Sequence, residues 1–186
     1  DGYVILRSKN NGSFSRLKTV GSSSTNFTDT GVTSGKIYRY RIQAVSSAIS
    51  SDYSVTKNTM FVKSASLTDI SNTARGIALK WKKVSGISGY YIYRKSAADP
   101  TWRCLKQVTS ASTTSATDTK AVQGEQYTYQ IIPYKKSSGQ KYKGSAANEK
   151  TMIRMKQMNA PTLKNIGSRS VRVYWKSAKA AEGYQI

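Results

Sequence analysis

Histidine is absent from the 186 residues, cysteine occurs once, proline three times, and Asp and Glu together number only nine. Each shortage excludes something. Without His the usual general base at neutral pH is missing. Cys104 alone cannot form an intramolecular disulfide, and with no His and no second Cys an ordinary zinc site cannot be assembled. The carboxylates are too sparse along the chain for a calcium site, which wants several acidic oxygens close together. No Gly-rich phosphate loop, nucleophile elbow or carboxylate pair is present. The expectation is therefore no catalytic residue, no metal and no cofactor. No apolar run approaches the ~20 residues that cross a bilayer, and no charged-then-apolar leader is present, so a soluble chain without a transmembrane segment is expected. Residue 1 is Asp rather than Met, which reads as an excerpt of a longer chain.

What is abundant is Lys and Arg, 30 against the nine acids, for a formal charge of +21, together with 13 Tyr. With 38% apolar residues the chain carries enough to bury a core despite its charge and should fold. It also repeats itself. Gly2-Tyr3-Val4-Ile5-Leu6-Arg7 returns as Gly89-Tyr90-Tyr91-Ile92-Tyr93-Arg94, and its opening returns again as Gly183-Tyr184-Gln185-Ile186. Phe14, Leu17 and Val20 recur as Trp102, Leu105 and Val108. Asp29-Thr30 with Gly35, Tyr38, Tyr40 and Ile42 recurs as Asp118-Thr119 with Gly124, Tyr127, Tyr129 and Ile131. Thr59-Met60 matches Thr151-Met152, and Trp81 matches Trp175.

The repeating unit reads as all-β. Ile77, Leu79 and Trp81 alternate with Ala78 and Lys80, as Val171, Val173 and Trp175 alternate with Arg172 and Tyr174, the period of a strand with one face buried. Tyr38, Tyr40 and Ile42 alternate with Arg39 and Arg41 in the same way. Clusters of Thr, Ser, Gly and Asn separate these runs, as in a sandwich of two antiparallel sheets.

At these residues the sequence resembles a bacterial fibronectin type III domain. The Trp that ends the second strand of that family is matched in Ile77-x-Leu79-x-Trp81, and the Gly-Tyr opening of its third strand in Gly89-Tyr90. Its apolar residue, turn glycine and corner Tyr before the sixth strand are matched by Val32, Gly35 and Tyr38, and one residue more tightly by Val122, Gly124 and Tyr127. The resemblance spans the whole chain. It is strongest to the Lys- and Tyr-rich repeats of surface or secreted proteins of Gram-positive bacteria, and the chain departs from animal repeats in lacking an Arg-Gly-Asp loop and a Pro before Leu67. It implies tandem immunoglobulin-like β-sandwiches, an extracellular location at a cell surface or in secreted form, and a core holding Trp81, Trp175, Tyr38, Tyr127 and Tyr90.

Strand order taken from the resemblance divides the chain into three. Residues 1–64 hold a partial domain from its third strand onward, 65–157 a complete domain, and 158–186 the first two strands and the start of the third of another. The ends are complementary fragments, neither expected to be stable alone, since both leave large apolar side chains uncovered and present bare strand edges. Two readings follow: a window on a longer array of neighbouring repeats, or completion of one molecule's amino-terminal half by another copy's carboxy-terminal strands. Short linkers are expected near Lys63-Ser64-Ala65 and Met158-Asn159-Ala160.

Basic residues are spread over all three segments, unlike a nucleic-acid stripe, and no helix-turn-helix, zinc-finger or RNP pattern accompanies them, which disfavours nucleic acid as a partner. The densest stretch, a hairpin with Tyr134, Lys135, Lys136, Lys141, Tyr142 and Lys143, is the candidate ligand site, for an anionic glycan or cell-wall polymer. The alternative is an edge hairpin kept soluble by Lys. Asp29 and Asp118 are expected to cap turns, Trp102 to cover a sheet face, and Tyr91 and Tyr93 to form a part-exposed strip. The function this suggests is a non-catalytic spacer and adhesion scaffold.

Overall fold

A computed structural model describes residues 1–156, 158–179 and 181–185; Gln157 and Ile186, which fall at expected segment ends, lie outside the described residues. The described residues form fourteen strands and no helix. β1 (Gly2–Lys9), β2 (Ser15–Gly21), β3 (Lys36–Val45) and β4 (Lys57–Phe61) build one antiparallel sheet in the order β2-β1-β3-β4. Asn10 and Asn11, both at positive φ, make the tight turn between β1 and β2, as Asn tolerates the left-handed conformation such a turn needs.

Next come β5 (Leu67–Thr73), β6 (Gly76–Trp81), β7 (Gly89–Ser96), β8 (Arg103–Val108), β9 (Ser115–Asp118), β10 (Gln126–Ser137), β11 (Gln140–Lys143) and β12 (Lys150–Ile153). They form two sheets, β5-β6-β9 and β8-β7-β10, with β11 and β12 both pairing β10. Leu67, Ile77, Leu79 and Trp81 from the first sheet and Tyr90, Ile92, Tyr127, Tyr129 and Ile131 from the second are buried in one cluster. This is an immunoglobulin-like sandwich, in which each strand sends alternate residues inward. The last pair is β13 (Thr162–Gly167) with β14 (Ser170–Tyr174), equivalent to β5 and β6 but with no sheet opposite.

The equivalence of the copies extends to an irregularity: the β1–β2 register slips between Ile5 and Leu6, and β7–β8 slips between the matching Ile92 and Tyr93. In one place it corrects the sequence alignment. Tyr38 pairs with Thr59, whereas its counterpart Tyr127 pairs with Met152, so Thr59 corresponds to Met152 rather than to Thr151. A similar Thr-Met pair at a shifted position had set the register, and a shift of one residue exchanges the faces of a strand.

The stretch read as a first linker is held to the middle sandwich. Ala65 is buried, its N–H donates to the Ser145 carbonyl (3.3 Å) and its carbonyl accepts from Ala147 N–H (2.8 Å). Met60 and Val62 belong to the middle core, and Ile37 packs against it. Gly35, at φ +77°, lies so close to Gly86 that a β carbon on it would overlap the Gly86 carbonyl. At the equivalent turn of the middle sandwich, Gly124 lies under the Lys179 side chain. Met158, Asn159 and Ala160 are exposed.

Candidate functional site

Against the inner face of the first sheet, and again inside the middle sandwich, a carboxylate is fully engaged by the protein. Asp29 accepts from Arg7 Nη1 at both oxygens (3.1 and 2.9 Å), from the Tyr40 hydroxyl (2.7 Å) and from Gly31 N–H (2.9 Å). Asp118 accepts from Arg94 Nη1 (2.7 Å), the Tyr129 hydroxyl (2.8 Å) and Lys120 N–H (2.9 Å). Both Asp thus close a turn, but each also anchors an Arg and a Tyr. Burial pushes Asp29 upward, and the bonds from Tyr40, Arg7 and Gly31 outweigh it, leaving the carboxyl below its ordinary range. Burial, then the bond to the carboxylate, raises Tyr40 and Tyr129 far above an ordinary phenol. Tyr38 and Tyr127, buried, accept from Thr33 N–H (2.8 Å) and Val122 N–H (3.1 Å), five residues upstream in each case. Arg7 and Arg94 lie over these same rings. With its acceptors and donors used internally, this cluster is architectural.

The candidate hairpin forms between β10 and β11 through a turn at Ser138 and Gly139, both at positive φ. Its six residues do not make one surface. Directly paired residues share a face, so Tyr134 and Lys143, Lys136 and Lys141 project from one side while Lys135 and Tyr142 project from the other, where Tyr142 packs against the core. Tyr134 is buried, its hydroxyl accepting from Gln107 Nε2 (2.9 Å). The exposed part of the outer face is therefore Lys136, Lys141 and Lys143, the last two over aromatic rings: Lys143 Nζ lies 5.0 Å from the Tyr91 ring and donates to the Tyr93 hydroxyl (3.1 Å), and Lys141 Nζ lies 5.8 Å from Tyr91 and Tyr134. The bond to Tyr93 holds the Lys143 ammonium above its ordinary value. Tyr91 and Tyr93, absent from the candidate set, are its platform; their alternation with Tyr90 and Ile92 was the available signal. Among the described residues neither Lys141 nor Lys143 enters an ion pair. Trp102 stacks under Lys95 (4.5 Å).

Among the described residues no second sheet lies over the inner face of the first. There Tyr3, Ile5, Phe27, Tyr40, Ile42 and Phe61 line an open groove of about 920 Å³. In the middle sandwich the corresponding face is covered by β5 and β6. At the other end of the chain β13 and β14 repeat those covering strands with their apolar face bare, Leu163 being 63% exposed. Trp81 is 3% exposed and meets Tyr90 edge-on at 5.4 Å; Trp175 meets Tyr184 edge-on at 5.6 Å but is 40% exposed, with no second sheet over it among the described residues. Tyr90, buried, accepts from Val84 N–H (3.0 Å), and Tyr184 from Ala178 N–H (2.8 Å). The local Trp-Tyr arrangement is thus made twice and enclosed once.

No protein-family model matches the sequence, and no curated protein is similar to it. Among solved structures, a two-domain fibronectin type III segment of chicken tenascin is similar at 21% identity over 77% of this chain and 82% of its own length, with a TM-score of 0.44. The FN1–FN3 domains of chicken CNTN1 are similar at 18% identity over 82% of this chain and 53% of that one, with a TM-score of 0.40. The fold, all-β with tandem immunoglobulin-like units of fibronectin type III kind, rests on the strand order and pairing described above.

Proposed function

We propose that the chain is a non-catalytic spacer and adhesion scaffold of an extracellular, surface-exposed or secreted bacterial protein. In this reading residues 1–64 are the later strands of one repeat, 65–157 a whole repeat and 158–186 the opening of the next. The open face of the first is completed by β13 and β14 of another molecule, giving head-to-tail chains. One observation carries it: the groove over Tyr3, Ile5 and Tyr40 and the bare face of β13 and β14 are the two halves of a packing that the middle sandwich contains whole. Each apolar side chain enclosed contributes roughly 1.5–3 kcal/mol, so closing both halves together is favoured over leaving them wet. Light scattering over a concentration series tests it. Mass rising with concentration, and abolished by Trp175→Ala, is expected; a monomer at every concentration defeats the completion.

A second reading, binding of an anionic glycan or wall polymer, is favoured by Lys141 and Lys143, which are held on tyrosine rings and enter no ion pair among the described residues. Its check is a panel of acidic polysaccharides at low and moderate salt. Saturable binding lost in Lys141→Gln/Lys143→Gln supports it, and uniform weak adsorption does not.

A further inference from the structure

The outer face of the first sheet carries a cation, Arg41, that has no polar partner among the described residues. Residues 51–54 run back along β3: Ser51 N–H donates to the Ala44 carbonyl (2.9 Å) and Ser54 N–H to the Ile42 carbonyl (2.8 Å), while Ser54 Oγ accepts Ile42 N–H (2.9 Å). That pairing brings Tyr53 beside Arg41, and Phe14 reaches the same guanidinium from the start of β2. The Arg41 guanidinium carbon lies 3.7 Å from the Tyr53 ring centroid and 4.2 Å from that of Phe14, the two shortest cation–ring distances among the described residues. Its Nε is buried with no acceptor, and neither Nη makes a hydrogen bond or ion pair to any described residue. The neighbouring Arg39 shares the unpartnered buried Nε and lies over Phe14 at 5.2 Å, but its Nη2 donates to Ser8 Oγ (3.0 Å) and the Gly12 carbonyl (2.9 Å).

Ring stacking offsets part of the desolvation of a half-buried cation, but it satisfies only the faces of the guanidinium. The N–H edge remains, and it is met best by a planar oxyanion that accepts two parallel bonds in the guanidinium plane. A carboxylate places both of its oxygens in that plane, whereas a phosphate can present two there but projects the others out of it. The partner is a sugar polymer rather than an acidic peptide, because peptides are held on free strand edges, in grooves or by clusters of several Arg, and the neighbouring Arg39 is already engaged by Ser8 and Gly12. Here β1 pairs β3 on one side, and β4 with residues 51–54 on the other, so no backbone ladder is offered. We infer that Arg41, held by Tyr53 and Phe14, is a binding site for the carboxylate of a uronic acid residue in an anionic polysaccharide. The site is separate from Lys141 and Lys143 and stands without them.

The test titrates a galacturonate hexamer, and in parallel a glutamate hexamer of equal charge, into the 186-residue chain while following the Arg41 Nε–Hε NMR signal. The galacturonate is expected to move that signal, and Arg41→Lys, which keeps the charge but not the fork, to weaken binding about tenfold or more. Lys141→Gln/Lys143→Gln leaves the Arg41 signal change intact, which separates this site from the hairpin. Undiminished binding by Arg41→Lys, or equal binding of the glutamate hexamer at Arg41, overturns the assignment. Should Arg41→Lys lower the urea midpoint, the unaltered chain decides: an Arg41 signal that galacturonate does not move overturns it equally.

Discussion

The most demanding single residues are Asp118 and Tyr129, because a buried carboxylate must find every partner within the fold. Tyr129→Phe removes one donor from Asp118 Oδ2 while leaving the ring in place, and should destabilise the chain by about 1–3 kcal/mol in urea unfolding. The pH dependence follows from the same clusters. A phenol raised in the folded state binds its proton more tightly there than in the unfolded chain, so its contribution is complete below about pH 10 and is lost as pH rises beyond it. Asp29 is shifted the other way: its contribution is present above about pH 4 and lost on further acidification. Urea midpoints across pH should therefore fall at both ends, and Tyr129→Phe should flatten the alkaline fall. The sequence showed these residues only in part. Asp before a turn is a local signal and could be read, whereas Arg7 and Tyr40 converge on Asp29 only once β1 and β3 have paired. The hint was that Arg7 and Arg94, Tyr40 and Tyr129, recur with the two Asp.

Strands were the most legible elements, since a buried face writes period-two alternation into Ile77, Leu79 and Trp81. Register was less so: Thr59 and Thr151 look alike locally, and only pairing with Tyr38 and Tyr127 distinguishes them. The faces of the hairpin were illegible for a related reason, as a dense run of Lys and Tyr says nothing about which side each residue takes until the turn residues are known. Turns also carry the contact between elements of successive copies. Gly35 and Gly139 share the same φ, but a β carbon on Gly139 meets nothing, while one on Gly35 meets the Gly86 backbone. Gly139→Ala should therefore cost only the backbone strain, about 1–2 kcal/mol, and Gly35→Ala distinctly more. Thermal or urea unfolding of the two variants side by side reads the difference.

Across the whole molecule the two successions of copies are not alike. The first buries Met60 (7% exposed) in the next copy's core, whereas its structural counterpart Ile153 is 45% exposed. Repetition in the sequence revealed that copies follow one another, but not how tightly each is seated, because seating depends on a few side chains such as Ile37 and Val62 that no repeat pattern marks out. The backbone of Gly35 rests directly on that of Gly86, with no side chain between them to act as a cushion. A rod assembled with such joints behaves as a lever. A tilt of a few degrees at one glycine, too small to alter any copy internally, displaces the far tip by an amount that grows with every copy beyond it.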